Sequence, residues 1–370
     1  MRAVRRQDHL RSVRRHVRLL VKMSPADKDH LHALRVALGL FFPGILVLSS
    51  GHYEMLVYAV FGSFTGMYGR AEPYRLRLRH QAQAGTILVT SVSTGVLLSE
   101  LQAPPWTLVA VAACCATLIS LVTDTLDLRP AGPFFGIFAL GTTATIPAAH
   151  VLADLAVGIC VGTASFCLLV SGIGTARNTP AEARSALNAD RVRPCAFDLL
   201  VHAARYALSI SVADACGLLL GTEHANWAMV SAAVPLAVID KANLLDPGIH
   251  DVVHRGIHRV LGTLTGLVAT ALLLAPDPGS TVLAVLVIVL LFPTELFMMR
   301  HYGIALGFFT PLIMLMTQLA DPSDPLTMLT DRGIDTLIGV AAGIAMAVLV
   351  RRPQLRSNRD GSDRSTAFRT

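Results

Sequence analysis

Twelve apolar stretches crowd into this chain, at roughly 33–50, 54–69, 81–99, 105–123, 131–148, 151–171, 203–221, 226–239, 259–275, 280–294, 301–319 and 333–350. So many, so closely spaced, exceed what one soluble core can use. The chain is 53% hydrophobic and only 15% charged, with a mean hydropathy of +0.56, where a soluble domain carries about a quarter charged residues. A spanning helix needs about 20 apolar residues. Several stretches are shorter and rich in glycine, which places them beside other helices rather than in lipid alone. The expected fold is all-α, a polytopic transmembrane helical bundle of about twelve spans.

The polar markers repeat. Leu34-Arg35-Val36-Ala37-Leu38 opens one series and Ala204-Arg205-Tyr206-Ala207-Leu208 a second. A His-aromatic turn follows in each, His52-Tyr53-Glu54 and His224-Ala225-Asn226-Trp227, then a Gly-Thr pair, Gly85-Thr86 and Gly262-Thr263. Both series close on Asp-x-x-x-Gly-x-x-x-Gly, as Asp154/Gly158/Gly162 and Asp335/Gly339/Gly343. The reading is two six-helix repeats, 31–171 and 201–350, with a basic arm 1–30, a linker 172–200 and a disordered tail 351–370.

Nearly all Lys and Arg fall in one set of connections, 70–80, 124–130, 172–205, 240–259 and 300, or in the arm and tail. The alternate set carries only Arg332, in the turn 320–333. The positive-inside rule then puts both termini in the cytoplasm of a multi-pass cell-membrane protein. Each repeat has an even number of spans, so the two run parallel and are related about the membrane normal. The arm 1–22 holds eight Arg/Lys and one Asp with no apolar core of signal-peptide length, so it reads as an inner-face arm. A net charge of +6 does not make a nucleic-acid binder here, because the basic residues are spread over every inner connection without base-stacking aromatics. Membrane lipid heads are the expected partners of those charges.

Six cysteines, none in a C-x-x-C pair, give no disulfide framework or zinc site. None of Lys22, Lys28 and Lys241 follows a glycine, so no Walker A cradle exists, and no cofactor is expected. No span carries His-Glu-x-x-His, Gly-x-Ser-x-Gly or an Asp-rich phosphate-metal cluster, which argues against an enzyme.

Glycines paired at i, i+4 recur at 62/66, 132/136, 158/162, 217/221, 262/266, 303/307 and 339/343, and their plain role is close helix crossing. Phe41-Phe42-Pro43-Gly44 sets Pro and Gly in the middle of the first span, as a broken helix at a binding site or as a simple kink. Charges inside spans are costly and usually face a bundle interior. Asp214 lies mid-span among Ser209, Ser211 and small residues, either a titrating carboxylate or a satisfied hydrogen-bonder. Asp154 and Asp335 stand at outer helix ends as coupling groups or caps. Arg35 and Arg205 either snorkel to lipid heads or form a cationic ring for an organic anion. Glu295 and Arg300 are expected to pair with each other.

The stretch Arg255-Gly-Ile-His-Arg259-Val-Leu-Gly262-Thr263-Leu-Thr-Gly266, after a basic connection, resembles the signature of the fusaric acid resistance-like integral membrane family. Trp227-Ala-Met-Val-Ser-Ala-Ala-Val-Pro235 is similar to that family's second repeat helix. In the first repeat Arg79-His80 lies farther from Gly85, a departure from the pattern. The resemblance implies exporters of aromatic or other organic acids, with related plant proteins forming malate channels. It also implies a sizeable cytoplasmic domain in many bacterial members, and the segments outside the spans here are each too short for one.

The resulting expectation is an exporter of small, anionic, aromatic organic compounds, driven by proton exchange. Arg35, Arg205 and Arg259 would anchor the anion, and Phe41, Phe42, Phe308 and Phe309 would wall it. Asp214, Asp154 and Asp335 would couple protons. A passive organic-anion channel needs the cations but no titrating carboxylate. A membrane scaffold without transport needs neither.

Overall fold

A computed structural model of the chain describes residues 29–70, 72–148, 152–173, 195–221, 226–238, 248–298 and 300–350. The expected arm through residue 28, the linker core 174–194 and the tail 351–370 lie outside the described residues. Most of the described residues are helical, and no strand is found among them.

Among the described residues, six helices come from the first part of the chain: α1 Asp29–Ser50, α2 Leu56–Ser63, α3 Tyr74–Glu100, α4 Pro105–Leu126, α5 Phe134–Thr145 and α6 Ala153–Gly172. Six more follow: α7 Ala196–Leu220, α8 Asn226–Leu236, α9 Ile249–Leu274, α10 Ser280–Met298, α11 Tyr302–Ala320 and α12 Pro325–Leu349. Among the described residues nine are long and apolar enough to cross a membrane, and α2, α5 and α8 are too short. Burial explains the shortness. Every residue of α2 and α8 is buried, as is the run from Phe135 to Thr143 in α5 and most of α11. Helices sheathed by other helices need not fill the bilayer themselves, since irregular backbone at depth is tolerated inside protein. Short 3-10 turns, Tyr53–Met55 and Phe64–Met67, extend α2 at both ends. Gln81 Nε2 donates to the carbonyls of Gly66 (3.3 Å) and Tyr68 (3.2 Å) where that chain leaves helical geometry.

Local chemistry sets several boundaries. Asp324 caps α12, its carboxylate accepting from Thr327 N at 2.9 Å, with Pro325 at the first helical position. Those donors hold the Asp324 carboxyl below its ordinary range. Gly221 ends α7 in the left-handed conformation at φ 74°. Pro43, in contrast, does not break α1, which runs continuously past it.

Packing proceeds in two layers. α2, α5, α8 and α11 form the inner layer, with α2 against α11 and α5 against α8. Outside them α4 packs on α7 and α10 on α1, while α6 lies on α1, α2 and α3, and α12 on α7, α8 and α9. Six phenylalanines from three inner helices interlock at the centre. Phe61 meets Phe138 at 5.3 Å between centroids, Phe64 meets Phe135 at 5.2 Å, and Phe309 lies 6.2 Å from Phe138 and 6.4 Å from Phe134. Edge-on pairs at such spacing are each worth about 0.5–1.5 kcal/mol beyond burial.

Glycines allow the tightest crossings. A Cβ on Gly262 would come within 2.7 Å of the Gly303 carbonyl oxygen on α11, and one on Gly266 within 2.5 Å of Thr310 Cβ. On Gly343 it would come within 2.5 Å of the Ala232 carbonyl oxygen on α8. Gly158 and Gly162 have nothing within 4 Å, and the buried stripe of α6 is instead Ala156, Cys160, Thr163 and Ala164. The matched Asp-x-x-x-Gly-x-x-x-Gly motifs therefore face different surroundings. Gly262→Val should lower the thermal stability of detergent-solubilised protein by about 1–3 kcal/mol through overpacking against backbone, whereas Gly158→Ala should leave its melting temperature unchanged.

Candidate functional site

A partly open cavity of about 70 Å³ lies among α5, α8, α9 and α11, lined by Phe134, Phe135, Val234, Arg259, Leu306 and Phe309, with Pro130, Ala131, Ala237, Arg255, Met298 and Tyr302 toward one end. Its walls are apolar and its one deep charge is a guanidinium. Arg259 sits on the inward stripe of α9 with Gly256, Gly262, Thr263 and Gly266, and is 0% exposed. Its Nη2 donates to Ser231 Oγ at 3.4 Å, and its Cζ lies 5.4 Å from the Phe134 ring centroid. Its Nε and Nη1 find no acceptor among the described residues. A guanidinium keeps its charge in proteins, so burial with open donors is costly unless an anion visits.

A polar vestibule of about 400 Å³ adjoins the cavity, lined by Val238, Asp251, His254, Arg255, His258, Arg300, His301 and Tyr302. Arg255 and Tyr302 line both spaces, and the Arg255 guanidinium lies 3.4 Å from the Tyr302 ring centroid. This stacked pair is the partition between them. Histidines continue from it: His254 and His258 ring centroids are 4.5 Å apart, and His258 and His301 5.1 Å. The signal for this wall was present in the chain as His250, His254 and His258 at successive i, i+4 positions, one face of α9. The aromatic wall of α5 has no comparable signal, since Phe134 and Phe135 look like any apolar pair.

The structure brings together only part of the expected site. Arg259 and Phe309 line the cavity, and Gly262, Thr263 and Gly266 share the same face of α9. Arg205 does not reach it. It is buried, and its Nε donates to the carbonyl of Val350 at 3.0 Å, just past the end of α12. Arg77 does the same for α6, donating to Ser171 O at 3.2 Å. Both are cations at helix C-termini, where carbonyls lack partners. Arg35 is half-buried on α1, within electrostatic range of Arg77 and outside the cavity. Phe41 and Phe42 point outward, 43% and 56% exposed, and Phe308 stacks on Phe297 at 5.8 Å.

The carboxylates also separate. Asp214 is buried on α7 with its Oδ2 unpartnered among the described residues, yet it does not line the cavity. Asp154 is exposed in the first turn of α6, while Asp335 is buried three turns into α12 rather than at its end. Arg332 likewise belongs to the buried face of α12 and not to a turn. Glu295 is paired with Arg70 rather than with Arg300. Among the described residues no cluster of His, Cys, Asp or Glu is arranged to hold a metal ion.

Residues 209–346 match the family described as fusaric acid resistance protein-like. The resemblance read from Arg255–Gly266 is thereby borne out for this part of the chain. A stretch of 127 residues is 28% identical to the uncharacterized membrane protein YvaC of Bacillus subtilis (strain 168), covering 33% of this chain and 19% of that relative. The chain thus matches about a fifth of the relative's length. No solved structure matches the chain. The protein is a multi-span membrane protein.

Arg205→Gln should lower thermal stability by about 1–2 kcal/mol, the worth of a charged hydrogen bond to helix-end carbonyls. A thermal melt of the detergent-purified variant beside the unaltered protein measures the loss.

Proposed function

We propose that the protein transports small organic anions, with ring-bearing carboxylates preferred, across the cell membrane. The observation that carries this reading is Arg259, a fully buried guanidinium with open donors in a cavity walled by phenylalanine. A cation desolvated among aromatic rings suits a carboxylate on an aromatic body: the head meets the guanidinium and the ring meets Phe134, Phe135 and Phe309. The stretch that matches the family contains Arg255, Arg259 and Phe309. The vestibule and its histidines gather anions, and the Arg255–Tyr302 pair must swing aside to admit a ring to the much smaller inner cavity.

We read the two sets of six helices as parallel repeats. The contacts of α2 with α6, α3 with α5 and α4 with α5 recur as α8 with α12, α9 with α11 and α10 with α11. Across the sets the contacts are reciprocal, α4 with α7 and α10 with α1, α2 with α11 and α8 with α5. Reciprocal cross-contacts are what an axis along the membrane normal would produce. The basic connections then lie in the cytoplasm, the vestibule opens to that side, and transport runs outward. Asp214 is the proposed proton-coupling group, as the buried carboxylate with an open oxygen.

One observation favours a passive channel as the second reading: Asp214 stands apart from the cavity, so anion passage does not require its titration. Proteoliposome flux of labelled benzoate separates the two. Arg259→Gln should cut flux roughly tenfold or more, the value of one charged contact. Asp214→Asn should abolish accumulation driven by a pH gradient while sparing exchange down a benzoate gradient. Flux that follows voltage and ignores both the pH gradient and Asp214→Asn would establish the channel, and Arg259→Gln with undiminished flux would end both readings.

A further inference from the structure

Arg332 repeats the features that single out Arg259. It is 1% exposed on α12, and its Nε and Nη1 find no acceptor among the described residues. Its Cζ lies 5.2 Å from the Trp227 ring centroid. Trp227 and Ser231 are four residues apart on α8, so they share a face one turn, about 5.4 Å, apart. Ser231 receives Arg259 and Trp227 supports Arg332. The two guanidiniums, one from α9 and one from α12, therefore meet successive turns of one inner helix, α8. They are within electrostatic range of each other, as Arg255 is of Arg259. Three cations thus step inward from the vestibule.

We propose that Arg332, braced by Trp227, is a second carboxylate-binding station one turn beyond Arg259, to which the transported anion passes on its way out. The proposal rests on the anion-transport reading above. Arg205 shows what a structural arginine looks like in this bundle, since its donors are spent on a helix end. Arg332 keeps donors open at the same depth, and buried open donors are destabilising unless something fills them. A single deep site would trap its anion. Passage needs neighbouring sites of similar strength, each able to release to the next. Asp335, three residues along α12 and within range of Arg332, offsets part of its charge and makes release possible. The surroundings can yield, because Trp227 packs with Met314 and Met328, and methionine side chains rearrange readily.

Trp227 supplies the test. The chain has two tryptophans, and the other, Trp106, is 55% exposed. Trp106→Phe in the full chain leaves Trp227 as sole reporter. Sodium benzoate is titrated into the solubilised protein while Trp227 emission and retention of labelled benzoate are followed, with flux measured in proteoliposomes. A saturable change in Trp227 emission is expected. Arg332→Lys should move its midpoint, and Arg332→Gln should abolish it and reduce flux roughly tenfold or more, while labelled benzoate is still retained at Arg259. Benzoate retention with silent Trp227 emission, or unchanged flux in both Arg332 variants, overturns the second station and leaves the transport reading standing. Failure of every form to retain benzoate overturns both. If Arg332→Gln does not fold, the Trp106→Phe protein, which keeps Arg332, still decides.

Discussion

Backbone amides in this bundle must find partners without water, and that constraint organises the rest. Within hydrocarbon only helices satisfy their own amides, so the chain is helix wherever it meets lipid. At several helix ends side chains make up the difference. Gln81 serves the carbonyls after α2, Arg77 the end of α6 and Arg205 the end of α12. Two of the most deeply buried arginines are thereby explained as parts of the backbone's own hydrogen bonding. They hold helix ends in place and are not available to a ligand.

Against that background the open donors of Arg259 stand out. The fold contains the means to satisfy buried guanidiniums and does not apply it there. Pro235 in α8 and Pro311 in α11 lack an N–H and so leave the carbonyls of Ser231 and Gly307 without their helical donor, yet no contact of Arg259 with either carbonyl is seen. Only the Ser231 hydroxyl accepts from it. The Gly262 and Gly266 crossing presses α9 against α11 and fixes Arg259 one turn away, facing the phenylalanine wall rather than solvent. Close packing and the buried charge are one arrangement, since the glycines that allow the crossing also aim the arginine.

The membrane bundle was legible in the sequence, and the facing of its helices was not. Apolar runs, prolines and basic connections identify spans. They do not say which side of a span meets protein, because lipid tails are as apolar as a core. Phe41 and Phe42 on the outer face and Phe309 in the cavity carry the same chemistry and differ only in rotation about their helix axes. The same blindness affected the matched Asp and Gly motifs. Asp335 and Gly339 face α8, but Asp154 and Gly158 turn outward, and the inward stripe of α6 begins two residues later at Ala156. Arg259 was legible because it stands in a run where Gly256, Gly262, Thr263 and Gly266 mark one face at helical spacing. Arg35 and Arg205 had no such neighbours to orient them.

The cavity also shows why its composition escapes any single stretch of chain. Arg255, Arg259, Tyr302 and Phe309 come from α9 and α11, inside the segment 209–346 that matches the family. Phe134 and Phe135 come from α5, outside it. The cation and half of its wall thus arrive from one part of the sequence, and the other half is added only when α5 docks on α8. The cavity is walled by residues more than a hundred positions apart, so its shape depends on how closely the two sets of helices meet. Phe64 on α2 and Phe138 on α5 both touch Phe309 across that seam, at 6.1 and 6.2 Å. Aromatic contacts of this kind tolerate small changes of angle better than directed hydrogen bonds do. A seam built from them joins the two sets by apolar contact rather than by directed bonds.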